Sequence, residues 1–140
     1  MSDDPPQTVH ASCVAIDGRG VLIAGPSGAG KSDLALRLID AGAVLVSDDY
    51  TVLTALDGRL HAAPPATIAG RIEVRGIGIV ECPFVRDVPV ALWVEAGTPE
   101  RMPEAMTHVI AGIALPAYTL ALLEPSAPAR LHLMLDRIAR

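Results

Sequence analysis

The stretch Gly25-Pro26-Ser27-Gly28-Ala29-Gly30-Lys31-Ser32 constrains this chain more than any other. It matches the pattern G-x-x-x-x-G-K-[ST], a loop whose backbone N–H groups bind the phosphates of a nucleotide. In this pattern the lysine brings positive charge to the β- and γ-phosphates, and the last hydroxyl ligates Mg²⁺. The predicted phosphate-binding residues are therefore Gly25, Pro26, Ser27, Gly28, Ala29, Gly30, Lys31 and Ser32.

The segments on either side of the loop favour this interpretation. Val21–Ala24 is a short apolar run typical of a strand, and Ser32–Asp40 is predicted to form a helix whose positive N-terminal end faces the phosphates. Lys31 is the only lysine in the chain, and apart from the histidines every other basic residue is an arginine. A compact ammonium is thus retained where a phosphate cluster would need one. The alternative is an ordinary glycine-rich turn that contains a lysine.

Composition limits the classes of protein that the chain can represent. A length of 140 residues suits one domain, and we predict a single domain over 1–140 with disorder over the acidic, proline-rich residues 1–7. A net charge of −5 argues against a general nucleic-acid surface. No apolar run reaches the roughly 18 residues of a spanning helix, so we expect no membrane partner and a cytoplasmic location. The two cysteines fit neither a metal site nor a disulfide framework, and Cys13 is predicted to be buried.

Periodicity predicts an α/β fold with a mixed sheet that is richer in strands than a regular doubly wound fold. The predicted helices are Ser32–Asp40 and Ala129–Arg140, with a short helical turn near Ala66–Gly70. The predicted extended segments are Thr8–Ile16, Val21–Ala24, Ala43–Asp49, Tyr50–Leu56, Leu60–Ala63, Arg71–Val80, Val88–Val94, Thr107–Ile110 and Ala117–Leu123. Gly112 and Pro116 are expected to separate the last two strands.

Two carboxylates, Asp48 and Asp49, follow a nearly continuous apolar run. A buried strand that ends in acids places them at its C-terminal edge, where ligands bind in open α/β sheets. There an aspartate can bind Mg²⁺ or position a nucleophile near the γ-phosphate. The alternative is an Asp-Asp turn into the next strand, and strand alternation does not indicate which aspartate faces the site.

Three charged residues, Arg71, Glu73 and Arg75, alternate with apolar residues and share one face of a predicted extended segment. Gly76 and Gly78 then allow close backbone approach or positive φ. Taken alone, this pattern favours a solvated strand face. His10, at the start of the first strand, would by the same reasoning be a partly exposed strand histidine.

Taken together, the motifs resemble the catalytic domain of HPr kinase/phosphorylase over roughly 10–94. The matching residues are His10, the loop with Asp33, the run Leu45–Asp49, and Glu73–Ile79. The resemblance implies a P-loop fold related to phosphoenolpyruvate carboxykinase. It also implies ATP- and Mg²⁺-dependent phosphorylation of a serine on the phosphocarrier protein HPr, with the reverse dephosphorylation as a further activity, and a hexameric homo-oligomer.

The resemblance further implies catalytic roles. Asp49 looks like the residue that accepts the proton of the acceptor serine, with Asp48 beside it and His10 as its electrostatic or hydrogen-bonding companion. Ser32 and Glu73 resemble the Mg²⁺ ligands. Arg75 resembles a residue that stabilises charge on the transferring phosphoryl group.

Two departures from the family pattern limit what the resemblance implies. Longer members carry a separate N-terminal domain, whereas this sequence looks like the short form of the family, with the catalytic domain alone. They also carry a basic loop, whereas no Arg or Lys occurs here between Arg101 and Arg130. The dephosphorylating direction is therefore left open.

Two other functions fit the same loop. A small-molecule kinase would use it, and so would an ATP-binding sensor that performs no transfer. A guanine-specific switch needs Asn-Lys-x-Asp, and the chain contains no asparagine. These considerations favour ATP as the nucleotide.

Overall fold

The computed structural model describes residues 5–138, which form eleven strands and two helices. The helices are α1 (Lys31–Asp40) and α2 (Ala127–Asp136). The strands are β1 (Gln7–Val9), β2 (Ala11–Ile16), β3 (Arg19–Ala24), β4 (Val44–Ser47), β5 (Thr51–Leu56), β6 (Arg59–Ala63), β7 (Arg71–Val74), β8 (Gly78–Glu81), β9 (Val88–Ala96), β10 (Met106–Ile110) and β11 (Ile113–Leu120). This is the strand-rich α/β architecture that the sequence predicts.

Nine strands form one mixed sheet, and β7 and β8 form a separate two-stranded sheet. The main path runs β1-β5-β6-β9-β3-β2-β4, and β11 joins β9 and carries β10 on its other edge. The strand before the glycine-rich loop, β3, pairs antiparallel with β2 and parallel with β9. The loop therefore leaves the middle of the sheet rather than an edge.

Both faces of the central strands are buried. Val21 and Ile23 of β3 pack on one side with Leu34 and Leu38 of α1, whereas Leu22 packs on the other with residues from β5, β6 and β11. Alternation of side chains along a strand explains this division. Because α1 is fixed by two fully buried leucines, its N-terminus has a defined position beside the loop.

Helix α1 ends at Asp40 as the sequence predicts and begins at Lys31, one residue before the predicted start. Gly30 precedes it with φ +103, and Gly42 follows its last turn with φ +111, a left-handed conformation that glycine adopts without strain. Helix α2 begins at Ala127, with Pro128 in its first turn. Neither helix within residues 5–138 is long and apolar enough to cross a membrane.

Several predicted elements differ from the structure. The expected strand Thr8–Ile16 is broken by a bend at His10, because β1 pairs with β5 whereas β2 pairs with β3 and β4. Gln7 pairs with Leu53, so the predicted disorder over 1–7 is wrong at that residue, and residues 1–4 lie outside the described range. Residues 66–70 form turns and no helix.

The expected extended segment Arg71–Val80 is also wrong, because the chain reverses after Val74 and forms the β7–β8 hairpin. Gly76 and Gly78 have φ of +84 and +115, which permits the reversal. Pro116 lies inside β11 rather than between strands. It is tolerated there because β11 pairs with β9 only from Ala117 onward, so one edge has no ladder partner at the proline.

Candidate active site

The glycine-rich loop connects β3 to α1 and exposes the backbone at the helix N-terminus. Gly28 and Gly30 have φ of +86 and +103, and a residue with a side chain would be strained in these conformations. The amide of Ala29 donates to the Pro26 carbonyl at 3.1 Å, which closes the loop on itself. The first N–H groups of a helix have no partner within the helix, so this end of α1 can bind an anion.

Lys31 is buried beneath the loop, with 5% of its surface exposed. Its Nζ donates to the carbonyls of Gly25 and Pro26, at 2.7 and 3.1 Å. The same nitrogen lies 3.6 Å from Oδ1 of Asp49. The ammonium is therefore fixed between the loop backbone and a carboxylate at the mouth of the site.

Asp48 is 7% exposed, and its carboxylate accepts hydrogen bonds from three elements. Its Oδ1 accepts from the hydroxyl of Ser32 at 2.6 Å and from the hydroxyl of Ser12 at 3.1 Å. Its Oδ2 accepts from the backbone N–H of Glu73 at 3.0 Å. Asp48 thus ties β4 to the start of α1, to β2 and to β7.

Asp49 has a different environment, with a side chain that is 46% exposed. Its backbone has φ +64, which aspartate tolerates better than most residues. Its Oδ1 lies 2.9 Å from Nε2 of His10. Its backbone N–H donates to Oγ of Ser12 at 2.9 Å. This left-handed conformation interrupts the alternation of side chains that a regular strand would have, so the Asp49 carboxylate reaches Lys31 beside the loop.

His10 reaches this site from the bend between β1 and β2. Its ring stacks on Tyr50, with centroids 5.0 Å apart and an interplanar angle of 20°. Stacking and the contact with Asp49 together restrict the rotation of the imidazole. A half-exposed carboxylate and an oriented imidazole thus lie next to each other beside the loop.

A cavity of about 510 Å³ lies beside the loop, and both Lys31 and Asp49 line it. Glu73 and Arg75 line it from the β7–β8 hairpin, and Leu36 and Leu123 contribute apolar surface. The full lining comprises Ser27, Gly28, Gly30, Lys31, Ser32, Asp33, Leu36, Asp49, Glu73, Val74, Arg75 and Leu123. Arg75 lies in the hairpin turn, just beyond the last residue of β7, so its place on a strand face was predicted wrongly.

The structure brings most of the sequence-predicted residues to one site, although two of them face elsewhere. Pro26 and Ala29 line a second cavity of about 540 Å³, which also contacts Leu122 and Glu124. Gly25 contributes the carbonyl that accepts from Lys31. The remaining predicted residues either line the first cavity or hydrogen-bond to residues that do.

Four further residues belong to the site and were not singled out in the sequence, namely Ser12, Leu36, Tyr50 and Leu123. Ser12 is fully buried and bridges both aspartates. Its polarity within the otherwise apolar β2 was the one signal that could have revealed it. The other three have no distinguishing sequence signal, because their role depends on which elements meet at the cavity.

Two thiols lie near this region of the sheet. Burial raises the pKa of the Cys13 thiol to about 12. Burial also raises the pKa of Cys82, and the nearby negative charge of Asp48 adds to the effect. Both thiols therefore stay protonated at neutral pH and are poor nucleophiles or metal ligands. Cys13 is buried, as its position in β2 predicts.

The acidic groups in the cavity suit a cation shared with phosphates. Within residues 5–138, no cluster of three or more His, Cys, Asp or Glu side chains could hold a metal by protein groups alone. Mg²⁺ usually takes one or two carboxylates and completes its coordination with substrate phosphates and water. Ser32 and Glu73, which line the cavity together, offer oxygen ligands of this kind.

Comparison with known proteins agrees with this arrangement. Residues 4–85 match the family model described as HPr Serine kinase C-terminal domain. The HPr kinase/phosphorylase of Clostridium tetani is 42% identical over 79 residues, which cover 56% of this chain and 26% of that protein. The corresponding protein of Clostridium novyi is 35% identical over 106 residues, which cover 69% of this chain and 34% of that protein. The matches thus span about a quarter to a third of the length of these relatives.

A solved structure, described as that of the Hpr(Ser) kinase/phosphatase from Coxiella burnetii, has the same fold. The two chains align with a TM-score of 0.81 and 32% sequence identity. The alignment covers 93% of this chain and 94% of the other. The likeness therefore covers nearly the whole of both chains.

Proposed function

The chain belongs to the HPr serine kinase C-terminal domain family, and from this premise we propose that it transfers the γ-phosphate of ATP to a serine of HPr. The observation that carries the proposal is the contact of Lys31 with Asp49. A phosphate-binding lysine and a half-exposed carboxylate lie 3.6 Å apart at one cavity. A transfer site needs this pairing, since one group binds the donor and the other receives the proton of the acceptor.

The residues present fit ATP with Mg²⁺. The N–H groups at the start of α1 and the Lys31 ammonium suit the β- and γ-phosphates. Ser32 and Glu73 would hold the cation, and Asp48 would orient the Ser32 hydroxyl through their 2.6 Å hydrogen bond. Bound Mg²⁺ would neutralise charge that develops on the phosphate oxygens. We also assign the fold to the P-loop class related to phosphoenolpyruvate carboxykinase.

Asp49, rather than Asp48, is assigned as the base. Asp48 already accepts three hydrogen bonds and is buried, so its oxygens are engaged. Asp49 is open to the cavity and is held by His10. A serine hydroxyl is a weak nucleophile, but phosphoryl transfer through a loose transition state requires its proton to leave only late.

In the proposed step the serine oxygen attacks the γ-phosphorus, its proton passes to Asp49, and ADP leaves. His10 stabilises the orientation of the Asp49 carboxylate. Arg75, from the β7–β8 turn, stabilises charge on the transferring phosphoryl group. Because the chain has no Arg or Lys from 102 to 129, we propose the phosphorylating direction as the principal activity.

The proposal is tested by incubating the protein with ATP and Mg²⁺ in two parallel reactions. One contains cognate HPr, and the other contains a protein-free metabolite extract. Phosphoserine on HPr, identified by mass spectrometry, is the expected product. Phosphorylated metabolites with unmodified HPr would indicate a small-molecule kinase, and ATP binding without either product would indicate a sensor.

A further inference from the structure

Part of the lining of the 510 Å³ cavity is apolar, beside the polar and charged groups of the glycine-rich loop. This apolar part consists of Leu36 and Leu123, which are 37% and 63% exposed. Leu36 lies one turn of α1 beyond Ser32, about 6 Å along the helix axis. The apolar surface is therefore continuous with the N-terminal end of α1.

Leu123 is held in place by Arg37 of α1. The guanidinium donates to the carbonyl of Leu122 and, at 3.1 Å, to the carbonyl of Glu124. Its Nε donates to Asp33 at 3.0 Å, which fixes the orientation of the arginine. The residues on both sides of Leu123 are thus anchored to α1, so this surface loop has a defined position.

Leu123 also packs directly on the phosphate-binding loop. A Cβ placed on Gly30 would lie 2.6 Å from Cδ2 of Leu123, closer than real Cβ atoms approach. Gly30 therefore serves two purposes, since it adopts a left-handed φ and leaves room for the leucine. The apolar part of the cavity is therefore in direct contact with the loop.

We infer that Leu36 and Leu123 receive the base of the nucleotide whose phosphates bind the loop. The inference rests on the proposed function, because it takes ATP as the ligand. A nucleotide has a polyanionic end and a flat, largely apolar end, and this cavity offers a matching surface for each. The base would lie over the outer face of α1, between the two leucines.

Affinity measurements on single-site variants test this inference. Titration calorimetry in the presence of Mg²⁺ gives the Kd of ATP and of inorganic triphosphate, which has the phosphates but no base. Leu123→Ala should weaken ATP binding about tenfold, as expected for losing an apolar contact of roughly 1.4 kcal/mol. Its affinity for triphosphate should fall much less, because the helix N–H groups and Lys31 that would bind phosphate are unchanged. Leu123→Met, which keeps an apolar side chain of similar size, should bind ATP about as tightly as the wild type.

Leu133→Ala and Arg130→Gln in α2 are the matched controls for Leu123→Ala and for a second test variant in α1, Arg37→Gln. Leu133 is 64% exposed and does not line the cavity, so Leu133→Ala should alter neither affinity. Arg37→Gln should weaken ATP more than triphosphate, because it releases the segment that carries Leu123. Arg130→Gln removes an exposed arginine that hydrogen-bonds to the Ser126 side chain and does not line the cavity, so it should have no effect.

The outcomes separate this inference from the proposed function. Triphosphate binding with unchanged ATP affinity in Leu123→Ala would overturn the inference and leave the phosphate site intact. Equal losses of ATP and triphosphate, or a raised KM for HPr with unchanged ATP affinity, would also overturn it. A wild-type protein that binds neither ligand would overturn both.

Discussion

Asp48 and Asp49 are adjacent in the chain, yet their carboxylates contact different parts of the site. Asp48 accepts the Ser32 hydroxyl at 2.6 Å, whereas Asp49 lies 2.9 Å from His10. Regular strand geometry would place consecutive side chains on opposite faces of the sheet. The left-handed φ of Asp49 departs from that geometry, so both carboxylates reach the same site. The two acids can therefore have separate chemical roles.

Replacement of Asp49 should separate transfer from binding. Asp49→Asn keeps the shape of the side chain but removes the proton acceptor, so we expect the transfer rate to fall by about 10²–10⁴-fold. ATP affinity should change little, because the cradle and Lys31 remain. Steady-state transfer rates and ATP titrations measure the two effects separately.

Asp48→Asn is the matched comparison for that variant. It should weaken Mg²⁺-dependent ATP binding, because an amide cannot accept the Ser32 hydrogen bond with a full negative charge. Identical losses of binding and transfer in both variants would contradict the separation of roles.

Lys31→Ala should abolish ATP-dependent activity while the protein remains folded. The ammonium is the one lysine charge in the chain, and it lies directly under the loop. Loss of ATP binding by titration, with an unchanged far-ultraviolet circular dichroism spectrum, is the expected result. Substantial ATP binding or activity in a folded Lys31→Ala protein would contradict the assignment of the loop.

Ser12→Ala should disturb both aspartates at once. It removes the hydroxyl that donates to Asp48 and accepts from the Asp49 amide, so a buried carboxylate and a partly buried N–H each lose a partner. We expect a stability loss of about 1–3 kcal/mol by urea unfolding, and a lower kcat with a smaller change in KM for ATP. Ser126→Ala, which removes an exposed hydroxyl, is the control and should alter neither quantity. A Ser12→Ala protein with wild-type stability and kcat would contradict this account.

The pKa of Cys13 predicts how stability depends on alkaline pH. Its pKa is raised from 9.0 to about 12 by burial, so the folded state keeps a proton that the unfolded state loses above pH 9. The unfolded state then binds fewer protons, and the free energy of unfolding should fall by about 1.4 kcal/mol per pH unit from this group.

Urea unfolding of the wild type and Cys13→Ala from about pH 8 to pH 10.5 isolates that contribution. The variant should show the shallower decline above pH 9. Cys82→Ala serves as the comparison, since its thiol is only partly buried and should matter less. Parallel curves for the wild type and Cys13→Ala would contradict the prediction.

The local elements around the loop could be predicted from sequence, because each depends on short-range patterns. The strand before Gly25, the helix after Gly30 and the neighbouring strands near 50–56 and 60–63 follow from periodicity, and the structure contains them all. The family suggested by the motifs is likewise confirmed by the match over residues 4–85. Short-range information was sufficient there.

Long-range relationships could not be predicted. The separate environments of Asp48 and Asp49 depend on one left-handed residue, and the β7–β8 reversal depends on two glycines that also fit an extended strand. Ser12 and Leu123 reach the site from segments that are distant from the loop in sequence. Only the folded arrangement of β2, α1 and the segment after β11 brings them together.

The most direct test of the account is phosphoryl transfer to HPr by the wild type and Asp49→Asn at saturating ATP. Rates are measured by quantifying phosphoserine on HPr by mass spectrometry, with ATP binding of both proteins confirmed by titration. We expect serine phosphorylation by the wild type and a rate at least about 100-fold lower in the variant. Equal rates, or no phosphoserine from a wild-type protein that binds ATP, would contradict it.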